Sequence, residues 1–207
     1  MDYLEALKKR YSVKKFNPAK KVSPQILQNI LQAGKLSASS LGLQPYTIIV
    51  VESKEMLQNL IPAFYNPSQI ASCSHLIVIV SKKNIDGSYV DGYFQHISEV
   101  REVPVKSMAL FRKNVDSYTE SNKDVHLWAE KQSYIVLGNL MFAAALEQVD
   151  SCPMEGFRNE IIEELLDINA EKESVAVTLA FGYRSEDDEF QKMKKVRKPD
   201  EKLFKFI

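Results

Sequence analysis

The sequence contains little glycine, seven residues in 207, and lacks the two glycine-rich loops that most often bind phosphate groups. Neither the pattern G-x-G-x-x-G nor the pattern G-x-x-x-x-G-K occurs. A phosphate-bearing ligand held by this chain therefore needs another kind of site.

Net charge is also absent, because Lys plus Arg and Asp plus Glu each total 27. A neutral chain produces no bulk field that attracts nucleic acid or an anionic membrane, so we expect neither as a partner. No uncharged apolar run approaches the roughly 20 residues that span a bilayer. Any anion site in this protein must be built locally from a few basic residues.

Cysteine and histidine are too scarce for several kinds of site. The two cysteines, Cys73 and Cys152, cannot form a disulfide framework. We expect both to be buried as small apolar residues, with a reactive thiol as the alternative. The three histidines show no H-E-x-x-H spacing, and no G-x-S-x-G elbow occurs, so metal catalysis and covalent hydrolysis lack support. Residues 1–10 lack the features of a signal peptide, which favours the cytoplasm.

Periodicity and helix-start signals predict helices interleaved with three or four strands. Ser23 followed by Pro24 marks a helix start. The predicted helices span residues 2–10, 24–36, 54–64 and 125–149, with one or two more within 88–120 and another from about 158. The predicted strands span residues 46–51, 76–80 and 174–183, the first two buried on both faces. This order favours a mixed α/β or α+β sandwich in a single domain over residues 1–207.

Apolar residues at two other places suggest packing surfaces. Tyr3, Leu4 and Leu7 have helical spacing and predict an amphipathic first helix. The apolar tail Leu203–Ile207 follows a charged stretch, which suggests an arm that pairs with a sheet, including that of another subunit.

Basic residues alternate at two places far apart in the sequence. Arg10, Ser12 and Lys14 occupy alternate positions, so an extended segment would project them from one face. Lys195 and Arg197 repeat this spacing. Each group suits the binding of an anion. The alternative is a solvated basic surface, and either segment considered alone favours that alternative.

Three further groups of polar or turn residues could contact a ligand. Loop 37–45 offers hydroxyls, backbone N–H groups and an amide, although such loops often only connect a helix to a strand. Residues 153–157 are predicted to form a turn after the long helix, which either presents backbone N–H groups or simply reverses the chain. Asn66, Gln69 and Gln132 suit either the polar edge of a heterocycle or the capping of local backbone.

Taken together, these segments resemble the nitroreductase family, in particular its oxygen-insensitive NAD(P)H nitroreductase branch, over nearly the whole chain. The resemblance rests on short blocks in the family's order and at about its spacing. These blocks are Arg10–Phe16 (RYSVKKF), Ser37–Tyr46 (SASSLGLQPY), Ser74–His75, Lys131–Gln132, Pro153–Phe157 (PMEGF) and Lys195–Arg197. Each block is weak alone, but together they form a specific signal.

The resemblance implies an α+β fold, a three-layer α-β-α sandwich that forms an obligate homodimer with exchange of C-terminal arms. It also implies FMN at the subunit interface. The phosphate and ribityl chain would be bound by Arg10, Ser12, Lys195 and Arg197. Lys14 would lie near the pyrimidine edge of the ring. The other implied cofactor-binding positions are Asn66, Gln69, Gln132, Pro153, Met154, Glu155 and Gly156, with Ser39, Ser40 and Gly42 supplied by the partner subunit.

The implied reaction is ping-pong hydride transfer from NADH or NADPH, through the flavin, to nitroaromatic or quinone-like acceptors. Lys14 would stabilise negative charge on the reduced ring, and no side chain is required as a general acid, base or nucleophile. The alternatives are a flavin or dihydropteridine reductase of the same family, a non-catalytic FMN-binding protein, and a structural dimer without flavin affinity. The choice between NADH and NADPH stays open.

Three positions depart from the family's pattern. Ala38 stands where many relatives carry proline, Gly42 where a close branch has asparagine, and Gln69 where that branch has lysine. A lysine near the ring would favour the anionic reduced flavin. We therefore expect a lower reduction potential here than in lysine-bearing relatives.

Replacing Gln69 with lysine tests this expectation. The Gln69→Lys change should raise the reduction potential of bound FMN, because it restores a positive charge near the ring. Potentiometry of the bound flavin in the wild-type and variant proteins measures the difference. An unchanged or lower potential would reject the argument.

Overall fold

The computed structural model describes residues 2–207, so Met1, the first residue of the segment searched for a signal peptide, lies outside the described residues. The α-helices are α1 Tyr3–Lys9, α2 Pro24–Lys35, α3 Lys54–Leu60, α4 Ser68–Ser72, α5 Gly87–Arg101, α6 Ala109–Ser121, α7 Val125–Leu146, α8 Asn159–Leu165 and α9 Asp200–Leu203. The strands are β1 Tyr46–Val51, β2 His75–Lys82, β3 Asp150–Met154 and β4 Glu173–Gly182. Short 3₁₀ segments occur at Ser40–Gly42, Ile61–Ala63, Val105–Met108 and Glu189–Lys192.

The strands form one antiparallel sheet in the order β1-β2-β4-β3, so β2 and β4 lie in its centre. Because side chains alternate along a strand, the apolar run of β2 supplies both faces of the sheet. Leu76, Val78 and Val80 point to one face, and Ile77 and Ile79 point to the other. A continuous apolar sequence at this position therefore requires a helical layer on each side.

Helices cover both faces of the sheet. Helices α2 and α7 pack on the face that carries Ile77 and Ile79, where Ile30 and Leu140 are fully buried. Helices α3, α4 and α8 pack on the opposite face around Leu60 and Ile162. The expected α+β three-layer sandwich is confirmed. Within residues 2–207, no helix has the length and apolar character needed to cross a membrane.

The helix-start signals and the long helix were predicted correctly. The Ser23 hydroxyl accepts a hydrogen bond from the Ile26 N–H at 3.3 Å and caps α2, with Pro24 at its first position. Helix α7 ends at Leu146, three residues before the predicted end. The 88–120 region contains two helices, α5 and α6.

Cys73 and Cys152 are both buried and unpaired, and burial raises the pKa of Cys73 to about 12.

Two expectations need correction. Strand β1 is not buried on both faces, because it lies at an edge of the sheet and only Val51 is buried. Residues 153–157 are not a simple turn, because Pro153 and Met154 belong to β3. Proline is tolerated there since β3 is the opposite edge strand, where one ladder hydrogen bond can be lost. The predicted first helix is present as α1, with its apolar side chains largely exposed in the single chain and only Ala6 buried.

Helices α2 and α7 approach each other closely at Gly34. A Cβ atom at this position would lie 2.7 Å from Leu140 Cδ2, and the Leu140 side chain is fully buried. We expect Gly34→Ala to lower the free energy of unfolding by about 1–2 kcal/mol, because overpacking outweighs the gain in helix propensity. Urea denaturation measures the change.

Gly92 provides a matched control in α5, because a Cβ atom there meets nothing within 4 Å. Gly92→Ala should raise the free energy of unfolding by roughly 0.5–1 kcal/mol. A Gly34→Ala protein as stable as Gly92→Ala would show that α2 can move away from α7 at little cost.

Candidate functional site

A basic cavity of about 610 Å³ lies between the N-terminal segment and the segment that follows β4. Arg10, Ser12 and Lys14 line one side, and Lys195 and Arg197 line the other. The fold thus brings together the two alternating basic groups, about 180 residues apart. Each group suggested a solvated surface when considered alone, but together they form the walls of one concave site.

The end of β4 holds the N-terminal segment in place. The Asn17 N–H donates to the Tyr183 carbonyl at 2.7 Å, and the fully buried Phe16 ring lies directly against Gly182. A Cβ atom at Gly182 would lie 2.8 Å from Phe16 Cδ1. Val13 is buried beneath the same segment, so the alternate residues Ser12 and Lys14 face the cavity.

Arg10 is the residue best placed to bind an anion. Its Nε atom is buried and has no hydrogen-bond partner among the described residues. Burial, followed by the charge of Arg197, lowers the pKa of Arg10. A partly desolvated, unpaired guanidinium is costly unless an anion approaches it. A phosphate monoester, with two negative charges and several acceptor oxygens, fits this demand.

Lys195 connects the two walls. Its Nζ atom donates to the carbonyl oxygens of Leu7 and Arg10, both at 2.5 Å. Burial, then the charges of Arg10 and Arg197, lowers the pKa of Lys195. An ammonium group has three donors, so one N–H remains for a ligand. Lys195 can therefore bind an anion while holding the end of α1.

The charge of the neighbouring Arg184 is already paired with that of Asp150. Its Nη2 atom donates to Asp150 Oδ1 at 2.5 Å, and this bond raises the pKa of Arg184. The guanidinium also lies over the Tyr11 ring, 4.6 Å from its centroid. Arg184 thus forms part of the cavity wall, while Arg10 keeps an unsatisfied donor.

A second, smaller cavity of about 220 Å³ adjoins the first, because Lys14 lines both. Asn66, Gln69, Pro153, Met154 and Gly156 line it, five of the positions that the resemblance assigns to the cofactor, and Cys152 lies among them. Cys152 Sγ is 3.8 Å from both Lys14 Nζ and Gln69 Nε2. Burial raises the pKa of Cys152, so its thiol stays protonated and can donate to the Pro153 carbonyl.

Glu155 points away from this second cavity. The Tyr134 hydroxyl donates to Glu155 Oε1, and Glu155 lines a different, more polar depression beside Arg158. Its neighbour Gly156 accepts a hydrogen bond from the Tyr65 N–H at 3.0 Å. This arrangement agrees with an assignment of Glu155 and Gly156 mainly for their backbone groups.

Ser39, Ser40, Gly42 and Gln132 form a separate group that lines neither cavity in the single chain. The Ser40 N–H donates to Gln132 Oε1 at 2.8 Å, so Gln132 lies with the loop rather than with the other ring residues. Gly42 has φ +73°, and a Cβ there would lie 2.5 Å from the Tyr93 hydroxyl. The group forms a preformed loop surface that is separate from the cavities of its own chain.

Sequence reasoning missed Asp150, Arg184 and Asp188, which support the basic cavity. Asp188 is buried and accepts hydrogen bonds from the backbone of the N-terminal segment. The charged stretch after β4 gave no signal that distinguished Asp188 from its exposed neighbour Asp187. Only the fold shows which of the two carboxylates faces inward.

The comparisons with known proteins agree with this geometry. The family described as "Nitroreductase family" matches residues 7–183. The chain is 36% identical over 197 residues to the "Putative NAD(P)H nitroreductase YfkO" of Bacillus subtilis, covering 89% of each chain. It is 34% identical to the "Putative NAD(P)H nitroreductase SH0546" of Staphylococcus haemolyticus, covering 99% of this chain and 96% of that protein.

Solved structures show the same fold at lower sequence identity. A structure described as that of a putative nitroreductase in complex with FMN, from Exiguobacterium sibiricum, aligns with a TM-score of 0.85 at 20% identity. The alignment covers all of this chain and 98% of that one. The structure of ydfN from Bacillus subtilis aligns with a TM-score of 0.87 at 17% identity, covering 100% and 99% of the two chains.

Removing the unpaired guanidinium of the basic cavity tests its role. We expect Arg10→Gln to weaken FMN binding about 10- to 100-fold, because charge-assisted hydrogen bonds to the phosphate are lost. Riboflavin has no phosphate, so its affinity should change little. Quenching of flavin fluorescence measures both constants.

Lys20→Gln serves as the control, because Lys20 carries the same charge but does not line the cavity. It should leave FMN affinity within about twofold of wild type, since exposed charges are screened by salt. Equal losses in the two variants, or equal losses for FMN and riboflavin, would contradict a phosphate site at Arg10.

Proposed function

The chain belongs to the nitroreductase family, an oxidoreductase family, and from this premise we propose that it binds FMN and transfers hydride from NAD(P)H to nitroaromatic or quinone-like acceptors. The observation that carries the proposal is the basic cavity, in which Arg10 presents a buried Nε atom without a partner beside Arg197. The proposal treats residues 1–207 as one FMN-dependent domain in a cytoplasmic protein, whose buried, unpaired cysteines suit a reducing compartment.

The proposed phosphate ligands are Arg10, Ser12, Lys195 and Arg197. Arg10 and Arg197 each offer planar N–H donors that suit phosphate oxygens, and the Ser12 hydroxyl can donate a further bond. The lowered pKa of Arg10 supports this assignment. Burial and then repulsion by Arg197 lower this pKa, and a bound anion would relieve the repulsion. Phosphate binding therefore offsets a cost that the cavity carries without an anion.

The proposed ring site is the smaller cavity. FMN supplies the redox chemistry when bound, by accepting hydride from the nucleotide and passing it to the acceptor. Lys14 lies at the boundary of the two cavities, where its ammonium can stabilise negative charge on the reduced ring. Backbone groups of the 155–156 segment are assigned to the ring edge. No side chain in the proposal acts as general acid, base or nucleophile.

The proposed order of events is ping-pong. The nucleotide and the acceptor would bind in turn, so the chain's contribution would be to orient each of them and to tune the charge around the ring. Gln69, buried at 3% exposure, contributes a neutral amide near Lys14. The alternatives within the family, a flavin or dihydropteridine reductase, need the same cofactor site and differ only in the acceptor.

The proposed partner is a second copy of this chain. Tyr3, Leu4 and Leu7 on α1 and Leu127 and Ile135 on α7 are 40–55% exposed in the single chain. In the C-terminal tail, Phe206 and Ile207 are almost fully exposed. Burying these apolar surfaces against a second copy would favour association.

The free edge of β1 is the proposed docking place for the partner's tail. A groove beside β1 is lined by apolar side chains that include Leu31, Ile48 and Val50. An edge strand with unpaired backbone groups accepts a further strand readily. A homodimer would also bring the separate loop of Ser39, Ser40 and Gly42 to the flavin site of the partner subunit.

An absorption spectrum of the purified protein, followed by anaerobic addition of NADH or NADPH, tests the proposal directly. We expect flavin bands at about one FMN per subunit that bleach with at least one of the nucleotides. Turnover with nitrofuran, quinone, free FMN and dihydropteridine then identifies the acceptor class.

Two other results would point elsewhere. Yellow protein that no nucleotide reduces would favour a non-catalytic FMN-binding protein. Colourless protein that takes up no added FMN would overturn the proposed function and leave the alternative of a structural dimer.

A further inference from the structure

Among residues 2–207, Asp188 is the one buried acidic residue, with 3% of its surface exposed. Its Oδ2 atom accepts hydrogen bonds from the Lys14 N–H at 2.7 Å and the Lys15 N–H at 3.2 Å. Its Oδ1 atom accepts from the Phe190 N–H at 3.0 Å. A buried carboxylate with three backbone donors is well satisfied and has a defined position.

Few packing contacts hold the segment that follows Asp188 against the rest of the chain. Every residue from Glu189 to Arg197 is exposed except Gln191, which is half-buried. Asp188 is thus the last buried residue before the basic wall that contains Lys195 and Arg197. In the single chain, packing alone holds this wall weakly, so specific polar contacts must set its position.

Within the part of the chain that the structure describes, two residues make the hydrogen bonds that join segments 7–15 and 188–197. These residues are Asp188 and Lys195. Lys195 is also a proposed phosphate ligand, so its loss would remove a ligand contact together with the bonds to Leu7 and Arg10. The contact made by Asp188 involves only backbone N–H groups, whereas the proposed ligand contacts of Lys14 and Lys195 are made by their side chains.

We propose that Asp188 is a positioning residue that holds the two walls of the basic cavity in register before the ligand arrives. The proposal rests on the proposed function in taking FMN as that ligand. A cavity whose walls are already aligned loses less conformational entropy on binding, so preorganisation raises affinity. Asp188 itself lines neither of the two cavities.

The positioning role and the direct electrostatic effect of Asp188 predict opposite changes in FMN affinity when the carboxylate is removed. Asp188 carries a negative charge beside an anion site, so its charge alone opposes phosphate binding. Removing that charge without moving the walls would tighten FMN binding. Removing the backbone contacts that align the walls would weaken it. The direction of the change therefore separates the two roles.

The test compares FMN affinity in wild type, Asp188→Asn and Asp187→Asn, by flavin fluorescence quenching on protein freed of bound flavin. The amide introduced by Asp188→Asn keeps the volume of the side chain but retains only one acceptor oxygen for three N–H donors. We expect this variant to bind FMN about tenfold more weakly than wild type. Riboflavin affinity should fall less, because riboflavin lacks the phosphate that both walls bind.

Asp187→Asn is the matched control, because it removes the same charge from the adjacent residue. The Asp187 side chain is 60% exposed and pairs with the Lys15 ammonium. Its loss should leave FMN affinity unchanged or slightly tighter, since exposed ion pairs contribute little. Thermal denaturation of all three proteins reports whether each is folded at the assay temperature.

Amide-resolved hydrogen exchange of the wild-type protein keeps the proposal testable if Asp188→Asn does not fold. In flavin-free protein, the Lys14 and Lys15 amides should already be protected, because Asp188 accepts from both. Free exchange that becomes protected only with FMN would overturn the proposal. Tighter or unchanged FMN binding in a folded Asp188→Asn protein would overturn it as well.

Failure of the proposed function has a different signature. A wild-type protein that binds no FMN overturns the proposed function whatever the variants do. Protection of the Lys14 and Lys15 amides in that protein would still support the positioning role of Asp188 for the cavity itself.

Discussion

The close contact between Phe16 and Gly182 is the constraint on which the rest of the site depends. It is possible only because residue 182 has no side chain, and it fixes the N-terminal segment against the end of β4. From this junction one segment leads through Lys14 to Arg10 and the other through Asp188 to Lys195, and they separate beyond the hydrogen bond from the Lys14 N–H to Asp188. The basic cavity is the space between them. A bulkier residue at 182 would therefore act on the site through backbone displacement, although it would contact no ligand.

Local chemistry allowed much of the fold to be predicted from the sequence. The Ser23-Pro24 start, the apolar run of β2 and the start of α7 at Val125 each depend on interactions within a few residues, and each was predicted correctly. The burial of β1 was predicted wrongly, because an apolar β-branched run has the same appearance at an edge as in the centre of a sheet. Strand β3 was missed since its Pro153 is a turn signal unless the strand lies at an edge.

Less of the candidate site than of the fold could be predicted from the sequence. Alternation identified Arg10, Ser12 and Lys14 as sharing a face, but only the resemblance to a family connected them with Lys195 and Arg197. Asp188 could not be recognised, because its burial depends on how the chain crosses the end of the sheet. The loop residues Ser39, Ser40 and Gly42 lie apart from both cavities of their own chain.

The two walls of the basic cavity belong to positions more than 180 residues apart in the sequence, as the bonds from Lys195 to Leu7 and Arg10 demonstrate. During synthesis, the sandwich can begin to collapse as soon as β4 has emerged, yet the second wall has not been made. Under the proposed assignment of Lys195 and Arg197 to the phosphate, loading with the cofactor would then wait for translation to pass Arg197. A truncated product of a damaged message could keep a folded core and still be unable to retain the cofactor, which would make it distinguishable from the intact protein by its thermal lability.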